Sequence, residues 1–177
     1  MITRRQMTGS AGALLLSGLL AACVTQSAYD QLNQQLSGEI AQGQVHITRL
    51  QGAIKVTVNS ELLFPSGGWQ MSDRGKQIIA NMAAKLAPTQ QNKILVSGYT
   101  DNAPIGRALQ RQGITSNQIL SQKRAENVMA FIISQGVKPD LISAQGFGDS
   151  NPIASNDTAQ RRAQNRRVEL SLASSGC

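Results

Sequence analysis

Ile94-Leu95-Val96-Ser97-Gly98-Tyr99-Thr100-Asp101-Asn102 opens the reading of this chain. Ile94–Tyr99 is a compact apolar run, too short for a buried helix, and it enters a polar loop, Thr100-Asp101-Asn102-Ala103-Pro104. That pattern predicts a buried strand. A carboxylate then stands at the strand's carboxyl end, where ligands of α/β sheets collect. Helical patterns flank the strand on both sides. Upstream, Ser72–Leu86 places Ile78, Ile79, Met82, Ala83 and Leu86 on one face, with Ser72 as N-cap and Pro88 as the stop. Downstream, Leu120–Ser134 turns Leu120, Val128, Phe131 and Ile132 inward and ends at Gly136.

Further out, Val45–Leu50 and Ile54–Val58 cluster β-branched residues around Gln51-Gly52-Ala53, as a hairpin or two short strands. Leu62-Leu63-Phe64 reads as the end of a strand running into the turn Pro65-Ser66-Gly67-Gly68. Leu141–Phe147 is a strand, Gly148–Asp157 a loop, and Val168–Leu172 a closing strand. The order predicts an α+β fold of βαβαββ type: a two-layer sandwich with helices packed on a mixed sheet. No segment repeats. A membrane barrel needs at least about eight strands of about ten residues each, which a chain with two such helices cannot supply.

The chain has 177 residues, 17 Lys+Arg against 10 Asp+Glu, a net charge of +7 and 41% hydrophobic residues, enough for one domain with an appendage. Its one histidine, His46, rules out a two-His metal site and any Ser-His or Cys-His machinery that does without it. His46 and Trp69 read as ordinary strand and loop residues. The carboxylates are scattered and offer no acid/base pair of the kind a glycan hydrolase needs. Neither an enzyme nor a metal or cofactor is expected. A pI near 10.0 raises nucleic-acid binding, but an export signal and few aromatics argue against it. The same charge suits acidic wall polymers or lipid headgroups.

Residues 1–22 carry that export signal: Arg4 and Arg5, no acid, then the uncharged Ala11–Ala22. Twelve residues make a helix of about 18 Å, short of a hydrocarbon core of about 30 Å. Thr3-Arg4-Arg5-Gln6-Met7 leaves the general and twin-arginine export routes both open. Leu19-Leu20-Ala21-Ala22-Cys23 resembles a bacterial lipobox, which implies a lipid, palmitate included, on Cys23 as mature N-terminus. Val24, where inner-membrane lipoproteins carry Asp, implies the outer membrane. Residues 23–44 read as lipidated terminus and linker. Within them Tyr29, Leu32, Leu36 and Ile40 form a thin helical stripe that packs on the domain, pairs with a second copy, or marks a tether. Cys177 closes a polar tail, 174–177, as an unpaired thiol.

Four clusters stand out in the body: Gly98–Asn102; Asn117 with Leu120-Ser121-Gln122-Lys123-Arg124-Ala125; Gly146-Phe147-Gly148-Asp149 with Pro152 and Asn156; and Arg161-Arg162-Ala163-Gln164-Asn165-Arg166-Arg167-Val168-Glu169. In this order and spacing they resemble the OmpA-like C-terminal domain, also found in Pal lipoproteins and flagellar-stator MotB proteins. The domain is expected over 45–173, with the match strongest over 62–172. Tyr99 and Arg161 depart from the family's usual His and Gly, and the segment from Asp101 to Arg124 is longer than in its shortest members.

The resemblance implies non-covalent peptidoglycan binding through the diaminopimelate of the stem peptide, tethering the outer membrane to the cell wall from its periplasmic face in a Gram-negative bacterium. Such a side chain ends in an ammonium and a carboxylate on one carbon. A reader therefore needs an anion and a bidentate cation side by side. By resemblance, Asp101 takes the ammonium and Arg124 forks onto the carboxylate. Asn117 assists the anion, Thr100, Asn102 and Leu120 form walls, and Ser66 and Gly67 add a backbone contact. Arg166 and Arg167 read as bracing the last strand, with loose binding of acidic glycan as the alternative. The alternative is a wall-anchored scaffold subunit of a secretion or motility complex, partnered by envelope proteins or a second copy.

Overall fold

The computed structural model describes residues 26–50, 53–86 and 93–173. The export signal, Cys23, Val24, the turn residues Gln51 and Gly52, Pro88 and the tail with Cys177 lie outside the described residues. The elements run α1 (Gln26–Gln35), α2 (Ser37–Ala41), β1 (Val45–Leu50), β2 (Ala53–Asn59), α3 (Ser60–Leu63), α4 (Asp73–Leu86), β3 (Lys93–Gly98), α5 (Arg107–Gln110), α6 (Asn117–Ser134), β4 (Ile142–Gly146), α7 (Ala159–Asn165) and β5 (Arg167–Ala173). Among the described residues no helix is long and apolar enough to cross a membrane.

Among the described residues five strands form one mixed sheet in the order β1-β2-β5-β3-β4, parallel only between β3 and β4. β5, the last described strand, lies between β2 and β3 and pairs antiparallel with both. Register carries apolar rows across the sheet: Ile54, Leu172, Ile94 and Ile142 form one, and Val56, Leu170, Val96 and Ala144 the next. The third row, Val58, Val168, Gly98 and Gly146, loses its side chains just where α6 crosses. A Cβ on Gly98 would come within 2.2 Å of the Ser121 carbonyl oxygen, and one on Gly146 within 2.3 Å of the Gln122 nitrogen. Two strand glycines thus let the helix lie directly on the sheet. Gln118 and Gln122 of α6 fasten it there, donating to the Gly146 carbonyl at 2.8 Å and accepting from the Gly146 N–H at 2.6 Å.

The expected two-layer α+β sandwich is present. Val45–Leu50 and Ala53–Asn59 form a hairpin, one of the two arrangements expected there, so two strands precede the first long helix where the βαβαββ order has one. Leu62-Leu63-Phe64 is no strand end: α3 is a single helical turn, capped by the Asn59 side chain accepting from the Glu61 N–H at 2.9 Å. A helical turn buries neighbouring residues that a strand would alternate, and Leu62, Leu63 and Phe64 are all buried. α4 starts as expected, with Ser72 Oγ accepting from the Gly75 N–H at 3.0 Å. α6 starts three residues earlier than its apolar pattern. Its cap is Ser116, accepting from the Ile119 N–H. α7 went unseen in a polar, Arg-rich run with no apolar stripe to reveal it; Thr158 caps it.

The N-terminal stripe resolves one open question. Leu32 and Leu36 are each 1% exposed and belong to the main core, with Tyr29 and Ile40 packed against it. Of the three readings, the described part of the linker takes the first: it packs on the domain.

Candidate functional site

Three segments meet at the carboxyl end of β3. The first is β3's exit, Thr100-Asp101. The second is the long loop beyond it, which folds back through Pro104-Ile105-Gly106 and α5. The third is the α3 turn with Pro65-Ser66-Gly67. Leu109, Ile114 and Leu120 form a small core of their own, with Ile105 and Trp69 packed against it, and this holds the long loop in place. Between the segments lies a hollow of about 260 Å³. Its lining includes Asp101, Arg124, Asn117, Thr100, Leu120, Ser66 and Gly67, together with Glu61 and Arg166. Residues 23 apart in sequence therefore share one cavity, as an acid and a guanidinium reading one zwitterion require. Asn102 is exposed and does not line it.

Arg124 comes from the second turn of α6 and is only 4% exposed. Its Nε donates to the Gly68 carbonyl at 2.9 Å, and its guanidinium carbon stands 5.3 Å from the centre of the Phe64 ring. Among the described residues that Nε bond is its only hydrogen bond, so its two Nη groups are uncommitted. Burial, reinforced by neighbouring Arg166 and opposed by Asp101, pulls its pKa down to about 10. A desolvated cation without an anionic partner of its own is a place for an incoming carboxylate.

Asp101, 8% exposed, is not idle. Oδ1 accepts from the Ala103 N–H at 3.1 Å, and Oδ2 accepts from Arg166 Nη1 at 2.8 Å. The other Nη of Arg166 donates to Glu61. Partial burial works against the charge on Arg166, but its bonds to Asp101 and Glu61 outweigh this and raise its pKa. Arg166 thus belongs to the hollow rather than bracing the last strand. It precedes β5 by one residue, and the strand's start aims it at β3's exit. Arg167 does brace the sheet: its Nε donates to Glu169 at 2.8 Å, and its guanidinium lies 3.7 Å from the centre of the Tyr99 ring. Tyr99, where the family usually has His, stacks on Phe147 and takes no part in the hollow.

Asn117 has a structural task as well. Its Nδ2 donates to the carbonyls of Asp101 at 3.2 Å and Ala103 at 3.1 Å, pinning the acid's loop to the start of α6. The third cluster is scaffolding: the Gly148 N–H donates to Ser121 Oγ, and the Thr100 N–H to the Gly148 carbonyl. In the fourth, buried Asn165 organises the preceding loop, accepting from the Ile153 and Ala154 N–H groups and donating to the Ala154 carbonyl. Glu61 and Arg166 were missed as site residues because nothing in their spacing shows that the α3 turn and the start of β5 meet.

The hollow therefore holds two acids and two guanidiniums, one guanidinium with both Nη groups uncommitted. The OmpA family model matches residues 63–166, more than half the chain. The chain belongs to the OmpA family. Curated members resemble it at about one-third identity. The probable lipoprotein YiaD of Escherichia coli is 36% identical over 128 residues, 72% of this chain and 55% of its own. The peptidoglycan-binding protein ArfA of Mycobacterium tuberculosis is 36% identical over 121 residues, 68% of this chain and 35% of its own. The chain thus spans about half or less of these OmpA-family relatives. Among solved structures, the cell wall anchor of the T6SS from Pseudomonas aeruginosa superposes with a TM-score of 0.73 at 28% identity, over 82% of this chain and 99% of that one. A MotB-like protein from Desulfovibrio vulgaris, at TM-score 0.75 and 24% identity over 85% of this chain and 91% of its own, shares the fold.

Proposed function

We propose that this OmpA-family chain binds peptidoglycan non-covalently by clasping the zwitterionic end of diaminopimelate in the stem peptide. The observation that carries the reading is that Asp101 and Arg124 line one hollow while both Nη groups of Arg124 are uncommitted. The ligand's carboxylate docks on that fork as a bidentate, charge-assisted pair. Its ammonium docks on Asp101, which shares or exchanges its contact with Arg166. Arg166 keeps its hold on Glu61, so no charge is stranded. The peptidoglycan-binding name of ArfA and the wall-anchor title of the Pseudomonas structure support the assignment.

Sedimentation with purified sacculi tests it. Asp101→Ala and Arg124→Ala should each lose binding by about tenfold to a hundredfold, the worth of one charge-assisted contact. Wild-type retention by both would end the proposal. Muropeptides released from incubated sacculi would show an enzyme in place of a binder. The chain is further proposed to be an outer-membrane lipoprotein acylated at Cys23; labelled palmitate should enter the wild type and not Cys23→Ser. A second reading, a wall-anchored scaffold of a secretion complex, draws on the likeness to the T6SS anchor over 82% of this chain. Cross-linking through α1 and α2 would capture its partner.

A further inference from the structure

A second concavity opens beside the hollow. It is a groove of about 390 Å³, and the two share Pro65, Ser66, Gly67, Gly106 and Leu109 as a common wall. The two differ in charge. The hollow holds Asp101, Glu61, Arg124 and Arg166, whereas among the described residues no charged side chain lines the groove. The groove's chemistry is an indole, Trp69, with two side-chain amides, Gln70 and Gln112. Trp69 is half-buried, supported by the small Leu109 core, and its Nε1 donates to Gln112 Oε1 over a long 3.4 Å.

We propose that this groove is a sugar subsite, in which Trp69 is the platform for an N-acetylated pyranose of the glycan strand. The proposal rests on the peptidoglycan reading above and extends it from the stem peptide to the sugar. The shared wall puts the groove next to whatever continues covalently from a zwitterion in the hollow. The polymer's peptide carries further charge, which an uncharged groove would desolvate without compensation. Its N-acetylated sugars are uncharged, with apolar C–H faces and polar edges. A supported indole with amides at its rim matches both features, in the usual manner of concave sites that are mostly apolar with a few orienting polar groups. The weak Trp69–Gln112 bond leaves the amide available to an acetamido group or hydroxyl. Trp69 is therefore a specificity-determining residue rather than an ordinary loop residue.

Trp69 is the chain's one tryptophan, so its fluorescence reports on this groove alone. The full chain is titrated with L-Ala-D-Glu-diaminopimelate and with the same tripeptide carrying its N-acetylglucosaminyl-N-acetylmuramyl disaccharide. The disaccharide form should shift Trp69 emission and bind about threefold to tenfold tighter; the bare tripeptide should bind with little shift. By calorimetry, Trp69→Leu, which keeps an apolar side chain against the small Leu109 core, should abolish that difference while keeping the tripeptide affinity, which also certifies its fold. Arg124→Ala should weaken both ligands. Equal affinities with no shift in the wild type would overturn the subsite and leave the diaminopimelate reading standing. A full shift with the bare tripeptide would overturn it by assigning the groove to peptide. If neither ligand binds, the diaminopimelate reading falls and the subsite with it.

Discussion

Arg124 and Arg166 show how two guanidiniums in one hollow take different tasks. Arg166 spends both Nη groups on Asp101 and Glu61, while Arg124 gives only its Nε to a carbonyl. Replacing Arg166 with Ala removes the partner of a buried carboxylate. Urea unfolding should show a loss of about 1–3 kcal/mol, and Arg166→Lys should recover only part of it, because one ammonium cannot span two acids. The lowered pKa of Arg124 makes a second test, whose sign follows from its charge. A ligand carboxylate needs the protonated guanidinium, so affinity is complete below about pH 10 and falls as pH rises through that value. A carboxylate-only analogue, free of the ligand's own amine titration, should show the decline by calorimetry. At this scale the sequence was legible for Asp101 and Arg124, each inside a recognisable pattern. It was mute for Glu61 and Arg166, whose roles arise from chain segments 105 residues apart.

Elements were easier to read than their contacts. Both long helices and the strands at 94, 142 and 168 follow from apolar periodicity, which burial imposes directly. α3, α5 and α7 are short and held by caps or by the small Leu109 core, so periodicity has too few turns in which to register. Strand glycines carry a similar lesson. Read alone, Gly98 and Gly146 weaken a strand; in place, they are where α6 touches the sheet. Gly98→Ala and Gly146→Ala should each destabilise by about 1–3 kcal/mol through overpacking, seen as a lower urea midpoint at unchanged slope. Because α6 bears Arg124 within one turn of that contact, which is made at Ser121 and Gln122, the same variants should also weaken wall binding. The Ser116 cap gives a milder test: Ser116→Ala should lose about 1 kcal/mol.

For the whole molecule, the stripe of Tyr29, Leu32, Leu36 and Ile40 changes where the folded body begins. A narrow stripe on a polar helix cannot announce its partner, since domain, second copy and solvent-facing tether all tolerate it. The core supplies the partner here. Leu32→Ala or Leu36→Ala should therefore cost about 2–5 kcal/mol in chemical unfolding, as core truncations do. A mere spacer would show no change. The two-layer class was legible because helix and strand lengths leave few alternatives; the central place of β5 was not, since adjacency in a sheet is set by pairing partners far away in the chain.

That placement has a consequence in time. A strand seated between β2 and β3 is the keystone of the sheet, yet it is made after the other four described strands, so a chain emerging amino end first holds two unjoined halves until residues 167–173 arrive. Arg166 enters with it, so the pocket acquires its fourth charge in the same closing event. A nascent fragment ending before Arg166 should stay protease-sensitive, and full-length protein should gain protection and ligand binding together.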